Sequence, residues 1–300
     1  MDTGVVARES DRNDPSAQAK PPGRVWRRSR AMRRFLKNRG AVIGAVVLLI
    51  YALVALFAPF VATHEIAMPN LRNTKAPPSL EHWFGTDALG RDLFSRLVFG
   101  ARISFVASLS AVGAALAVGT GFGMIAGYYG GRLDELAMRV VDIMLAFPGI
   151  LLAILVVSIL GAGLPQLIVA VSIFSIPVFA RLARGSTLAV RDREYVQAIR
   201  ATGGRDWRIL TFHVLPNIFA PLLVQATLRI GTANLSIATL GFLGLGAQPP
   251  TPEWGLMIAD GRNHLTTSPH IALLPGFVLM GLVLAVNLLG DGLRDALDPR

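Results

Sequence analysis

The sequence predicts an all-α, polytopic membrane protein with six transmembrane helices. Of its 300 residues, 53% are hydrophobic and only 16% are charged, and the mean hydropathy is +0.53. A soluble chain of this composition would lack the polar residues needed to cover its surface. Uncharged stretches of membrane-spanning length recur along the chain, and basic residues collect between alternate stretches.

The N-terminal part is predicted to contain a basic tail, one span and a loop. Residues 1–40 hold eleven of the 29 Lys and Arg residues and show no apolar period, which indicates a cytoplasmic tail. Residues 41–62 carry no charge and would extend about 33 Å as a helix, enough to cross a hydrocarbon core of about 30 Å. We interpret them as an uncleaved anchor, because a signal peptide has a shorter apolar region. Residues 63–102 are predicted to form a periplasmic loop.

The end of this loop shows an amphipathic pattern. Apolar residues from Leu93 to Val98 fall on one helical face, and Asp92 and Arg96 are four residues apart, which allows them to pair. The pattern predicts an interfacial helix that lies on the membrane before the second span.

Residues 103–291 are predicted to form the transmembrane core, with five further spans. Residues 143–180 are uncharged but too long for one crossing, and Gly161 to Pro165 divide them. The five spans are expected at about residues 103–130, 140–160, 164–182, 216–246 and 271–290. An alternative topology splits residues 216–252 at Arg229 into two crossings.

Six crossings place both chain ends on one side of the membrane. The segments on that side hold 22 Lys and Arg residues, against six on the other side. The positive-inside rule therefore predicts cytoplasmic N- and C-termini, with a cytoplasmic loop at residues 190–216 and a cytoplasmic C-terminal segment at 292–300. Orientation and anionic membrane lipid explain the basic tail, so nucleic-acid binding is not expected.

Several kinds of site are not expected on this chain. It has no cysteine, and none of its three lysines follows a glycine, so the G-x-x-x-x-G-K loop that binds ATP phosphates is missing. The five histidines, at positions 64, 82, 213, 264 and 270, are scattered and form no metal-ligand cluster by spacing. We therefore expect no catalytic residue, no metal and no cofactor here.

Three glycines in the second span form a packing pattern. Gly119, Gly123 and Gly127 repeat every four residues, and such small-xxx-small spacing lets another membrane helix approach closely. The dinucleotide fingerprint is excluded because no strand precedes the glycines.

The fifth span is polar along much of its length. Arg229 lies near its middle, where exposure to lipid would cost about 3 kcal/mol. Together with Gln225 and Asn234, Arg229 is predicted to line a translocation path. A snorkelling or structurally paired arginine is the alternative.

The cytoplasmic loop at residues 190–216 is predicted to form a helix, a glycine turn and a second helix. Gly203 and Gly204 can adopt the positive φ that ends a helix, and Pro216 suits the first turn of the next span. Such an elbow is a natural docking element for a soluble partner, with an ordinary connecting loop as the alternative. The predicted packing stripe of the first helix consists of Tyr195, Ala198, Ile199 and Thr202.

This loop resembles the EAA loop of ABC importer permeases. Gln197-Ala198-Ile199 takes the place of its E-A-A residues, Gly203 that of its glycine, and His213 to Pro216 that of its ending. Further segments share the resemblance, at residues 85–96, 139–148, 179–185, 241–255 and 287–299. From about residue 30 onward the chain is similar to the C-type permeases of dipeptide, oligopeptide and nickel importers. Residues 78–84, 147–154 and 173–181 are most similar to the glutathione-import branch.

The resemblance implies the type I ABC importer permease fold and one half of a heterodimeric pore in the bacterial inner membrane. The implied partners are a second permease subunit, two cytoplasmic ATPase subunits that carry ATP and Mg, and a periplasmic substrate-binding protein. The implied ATPase-coupling residues are Glu194, Tyr195, Gln197, Ala198, Ile199, Arg200, Gly203, Gly204, Leu215 and Pro216. The implied function is ATP-driven import of a small peptide-type solute, either glutathione or a di- or oligopeptide. Nickel import and a non-ABC secondary transporter are the alternatives.

Overall fold

The computed structural model describes residues 32–297, which are mostly α-helical and contain no β-strand. The helices are α1 (Arg39–Leu56), α2 (Ala58–Val61), α3 (Leu93–Tyr129), α4 (Gly131–Ala146), α5 (Gly149–Leu160), α6 (Leu164–Arg191), α7 (Glu194–Ala201), α8 (Asp206–Ile209), α9 (Leu215–Phe242), α10 (Trp254–Gly261) and α11 (His270–Leu297). Residues 32–37 are also helical, and a π-helical segment, Leu210–Val214, joins α8 to α9. Most of the predicted tail at residues 1–40 lies outside the described residues.

Five helical stretches are long and apolar enough to cross a membrane. They are α1, α3, α6, the continuous run from α8 through α9, and α11. A sixth crossing results if α4 and α5, which meet at an angle of 92°, count as one span. The described residues therefore confirm the all-α fold, with six crossings when the bent pair is counted.

The third predicted span, at residues 140–160, is not one straight helix. It is broken at Phe147, whose backbone is extended, with φ −85° and ψ 135°. The cause is Pro148, because a proline ring disfavours the helical conformation of the residue before it. The charged residues before position 140 continue the helix instead of forming a loop, so α4 begins at Gly131.

The separate interfacial helix predicted before the second span is wrong. Leu93 begins α3, which continues unbroken for 37 residues to Tyr129. Asp92 caps this helix, because its carboxylate accepts a hydrogen bond from the Ser95 backbone N–H at 2.8 Å. Leu93 and Leu97 are buried inside the protein and do not face lipid.

The predicted pair of Asp92 with Arg96 is also wrong. Arg96 Nε lies 3.5 Å from Asp87 Oδ2, and its NH1 donates hydrogen bonds to the carbonyl oxygens of Ile66 and Pro250. The Asp92 carboxylate instead serves the helix cap. Arg96 is 1% exposed, so this arginine holds two loops against the first turn of α3.

Trp254 lies in a packed region formed by α1, α3, α9, α10 and α11. Its side chain is fully buried, and its Nε1–H donates a hydrogen bond to the Leu97 carbonyl oxygen at 3.2 Å. Glu253, just before it, caps α10 by accepting the backbone N–H groups of Gly255 and Leu256. Burial raises the pKa of the Glu253 carboxyl, and these two hydrogen bonds oppose that rise.

The helices α3 and α6 approach each other along the predicted glycine face. A Cβ atom at Gly119 would lie 2.6 Å from the Ile176 carbonyl oxygen, and one at Gly127 would lie 2.9 Å from that of Arg184. A Cβ atom at Gly123 would overlap the Ala180 carbonyl group. Backbone therefore meets backbone over two helical turns.

We expect Gly123→Ala to destabilise the protein by roughly 1–3 kcal/mol, because α6 must move away to admit the methyl group. Gly121→Ala is the matched control, since a Cβ atom there meets no atom within 4 Å. The measurement is the midpoint of thermal unfolding of each purified variant in detergent. Equal midpoints for the two variants would contradict the close contact.

Candidate functional site

Residues 190–216, called the elbow below, form a helix, a tight turn and a second helix between α6 and α9. Gly203 has φ +82°, in the left-handed region that glycine adopts without strain. The Gly204 N–H donates a hydrogen bond to the Ile199 carbonyl oxygen at 2.9 Å, which closes the end of α7. Gly204 does not have a positive φ; a Cβ atom there would lie 2.6 Å from the Ile199 side chain.

The packing stripe predicted for α7 is wrong in its register. Val196 is the buried residue of this helix, at 1% exposure, and Ile199 packs beside it against the core. Tyr195, Ala198 and Thr202 are exposed. Val196 and Ile199 lie three residues apart, on one face of α7. This pair is more apolar than Ala198 and Thr202 of the predicted stripe, so the helix packs on the face of Val196.

The opposite face of α7 is open to solvent in the described residues. Of the residues implied to couple to an ATPase, Glu194, Tyr195, Gln197, Ala198, Arg200, Gly203 and Pro216 are exposed. The others, Ile199, Gly204 and Leu215, are half-buried. The elbow therefore presents a mixed polar and aromatic surface while its apolar residues hold it to the bundle.

Tyr128, near the end of α3, connects the elbow to the bundle. Its hydroxyl donates a hydrogen bond to Asp206 Oδ1 at 2.7 Å. The Arg200 guanidinium carbon lies 4.7 Å from the centre of the Tyr128 ring, within reach of a cation–π contact. Because Tyr128 is 3% exposed, one fixed side chain contacts both α7 and α8. Sequence reasoning missed it, since its partners are more than 70 positions away.

One ion pair and one hydrogen bond to a backbone carbonyl hold the C-terminal part of α6, from which the elbow begins. Arg184 donates two hydrogen bonds of 2.6 Å to the two carboxylate oxygens of Asp134 in α4. Arg191, the last residue of α6, donates to the Gly127 carbonyl oxygen at 2.7 Å. These contacts join the C-terminal part of α6 to both α3 and α4.

The elbow returns to the bundle through the π-helical segment Leu210–Val214. The Leu215 N–H donates to the Leu210 carbonyl oxygen, five residues back, instead of four. The next residue, Pro216, has no N–H to give to the Phe212 carbonyl, so the α-helical ladder is interrupted at this point. Pro216 lies in the first turn of α9, as the sequence indicates.

The structure does not bring the three predicted path residues onto one face of α9. Gln225 borders a cavity of about 530 Å³ that Leu182 and Arg294 also line. Arg229 is half-buried, with its guanidinium carbon 6.0 Å from the centre of the Phe174 ring and NH1 3.5 Å from Thr232 Oγ1. Gln225 and Arg229 are one turn apart and share a side of the helix.

Asn234 lies on another side of α9 and is 1% exposed. Its Nδ2 donates to the Ile230 carbonyl oxygen at 3.1 Å, and the neighbouring Gly231 faces Val286 and Asn287 of α11. Nine residues separate it from Gln225, which in an α-helix is about half a rotation. Gln225 and Arg229 therefore share a side of α9, Asn234 packs between helices, and the translocation path stays a prediction.

The comparison with family models decides the identity of this helical bundle. Residues 119–300 match the model of the binding-protein-dependent transport system inner membrane component. The chain belongs to this family. Residues 25–78 of this transport permease also match the N-terminal transmembrane domain of oligopeptide transport permease C. The resemblance stated from the elbow and the other segments is confirmed.

Two curated relatives of the permease cover nearly its whole length. It is 48% identical over 275 residues to the dipeptide transport system permease protein DppC of Alkalihalophilus pseudofirmus, which spans 92% of this chain and 90% of that protein. It is also 48% identical over 272 residues to the glutathione transport system permease protein GsiD of Escherichia coli, which spans 89% of each chain.

The fold of the permease is also found in a solved transporter. It is similar to a chain of the MetNI methionine ABC transporter in inward-facing conformations, with a TM-score of 0.56 and 20% sequence identity. The similarity covers 69% of this chain and 98% of that chain. The predicted ABC importer permease fold is therefore confirmed.

We expect Tyr128→Phe to loosen the elbow. The change removes the hydrogen bond to the Asp206 carboxylate, worth about 1.5–3 kcal/mol for a charged acceptor, and keeps the ring beneath Arg200. Hydrogen exchange should become faster at the amides of α7 and α8. Tyr195→Phe is the control, because Tyr195 is exposed on the same elbow. Unchanged exchange in Tyr128→Phe would show that this contact does not hold the elbow.

Proposed function

We propose that this chain is one permease subunit of an ATP-driven importer that moves a small peptide-type solute across the bacterial inner membrane. The observation that carries the proposal is the elbow, which projects an exposed helical face between two spanning helices and is fixed to α3 and α6 at its base. Family membership and 48% identity to one dipeptide and one glutathione permease support the solute class.

The proposed assembly contains a second permease subunit, two ATPase subunits and a substrate-binding protein. The ATPases would bind the elbow in the cytoplasm and would supply ATP and Mg, because this chain has no phosphate-binding lysine loop. The second permease would complete the pore beside Gln225 and Arg229. Both termini are proposed to be cytoplasmic on the basis of the basic-residue count.

The proposed coupling mechanism is a rigid displacement of helices. Closure of the ATPase pair pushes on the exposed face of α7. Tyr128 passes this displacement to α3, and the Arg184–Asp134 pair passes it from α6 to α4. Because α3 and α6 are in backbone contact, they move as one body and exchange inward-open and outward-open states.

We expect Gly203→Val to leave the chain inserted and paired with its sister permease, and to lower substrate-stimulated ATPase activity and uptake together. Valine is strained at φ +82°, by roughly 1–2 kcal/mol, and would misdirect α8 without touching the pore. Gly203→Asn is the matched control, since asparagine tolerates this conformation better. Normal uptake by Gly203→Val at normal expression would show that the elbow is not the coupling element.

The identity of the transported solute is tested by measuring uptake in cells whose chromosomal gene for this chain has been deleted. We expect expression of the chain to restore ATP-dependent uptake of labelled glutathione or of a labelled dipeptide. Restored uptake of nickel alone would replace the peptide class with a metal ion. Uptake driven by the proton gradient, without ATP hydrolysis, would favour a secondary transporter.

A further inference from the structure

The loop between α2 and α3 brings together three side chains that are distant in the sequence. His64, His82 and Asp92 each offer one ligand atom, and these atoms all lie within 4.8 Å of one another. His82 Nδ1 is 2.9 Å from Asp92 Oδ1, and His64 Nδ1 is 3.8 Å from the same oxygen. Two of the five histidines, which the sequence spacing leaves scattered, thus lie beside one carboxylate in the folded chain.

We propose that His64, His82 and Asp92 bind a divalent transition-metal ion of the zinc class. Zinc takes histidine nitrogen and carboxylate oxygen at about 2.0–2.2 Å in a tetrahedral arrangement, which places its ligand atoms about 3.4 Å apart. The distances of 2.9 and 3.8 Å from Asp92 Oδ1 lie on either side of this value, and all three ligand atoms lie within 4.8 Å of one another, so the side chains would have to move closer together around the ion. The inference is independent of the proposed transport function.

The backbone around the three residues is already held in place. The second carboxylate oxygen of Asp92 accepts the Ser95 N–H, so the helix cap does not use Oδ1, which contacts His82 Nδ1 at 2.9 Å. The Ser95 hydroxyl oxygen accepts the backbone N–H groups of Thr63 and His64, both at 3.0 Å. Such outer contacts orient metal ligands before the ion arrives.

The burial of the cluster leaves one side accessible. Asp92 is 2% exposed and His82 is 7% exposed, whereas the His64 side chain is 33% exposed. An ion could therefore enter beside His64 and keep a water molecule as its fourth ligand. The bound ion would clamp the start of the loop to the first turn of α3.

A hydrogen-bonded helix cap explains only part of this arrangement. The hydrogen bond between His82 and Asp92 involves one histidine. The helix cap, in which Asp92 accepts the Ser95 N–H, involves no histidine. The His64 ring nevertheless lies 4.6 Å from the His82 ring, centre to centre. Its Nδ1 lies 3.0 Å from the Thr63 hydroxyl oxygen and 3.8 Å from the carboxylate oxygen that His82 contacts. A shared ion accounts for the second histidine.

The test measures metal binding by the full chain, purified in detergent with the subunits that accompany it. We expect zinc to raise the midpoint of thermal unfolding, and cobalt to give the visible absorption of a tetrahedral site. His64→Ala should weaken binding by at least the 10–100-fold that the loss of an outer-shell contact costs. His264→Ala is the matched control, because His264 is also half-buried but lies outside the cluster.

His64→Cys supplies a positive test in this cysteine-free chain. A thiolate also binds zinc and cobalt, so this variant should retain the ion and add a sulfur-to-cobalt charge-transfer band. Zinc shifts and cobalt spectra that are the same in the natural chain and His64→Ala would overturn the proposal. So would the absence of the charge-transfer band in His64→Cys, and the cluster would then be a helix cap alone.

Discussion

The backbone contact between α3 and α6 is the constraint on which the rest of the molecule depends. In lipid there is little hydrophobic force between helices, so close packing must supply the attraction. Gly119, Gly123 and Gly127 allow the backbone of α6 to approach that of α3 at three successive turns. At the same end of α3, Tyr128 bonds to Asp206 of the elbow and the Gly127 carbonyl oxygen accepts a hydrogen bond from Arg191.

The spans could be predicted because a long uncharged stretch of sequence directly indicates a helix in lipid. The bend at Phe147 and the start of α3 at Leu93 could not be predicted, since each depends on a single residue within or beside those stretches. Pro148 breaks an apolar run whose composition does not change. Asp92 caps a helix whose first turns pack against Trp254, at the start of the distant helix α10. Hydropathy records the average environment of a segment, whereas these features depend on particular contacts.

The candidate site shows the same division. Gly203 and Pro216 could be identified because each has a local backbone property, a positive φ in one case and a missing N–H in the other. Tyr128 and the pair of His64 with His82 could not, because their contacts join residues far apart in the chain. The elbow surface was misjudged since a short helix fits two stripes, and burial of Val196 decides between them.

The π-helical segment before α9 changes which side of the helix the residues on either side of it face. It holds one residue more than an α-helical turn, and each residue adds about 100° of rotation. A helical wheel drawn through α8 and α9 with a single period would therefore assign the elbow residues to the wrong side. The angle at which the elbow meets a partner is set by the number of residues in this segment, and a deletion of one residue would alter it even if every remaining side chain were kept.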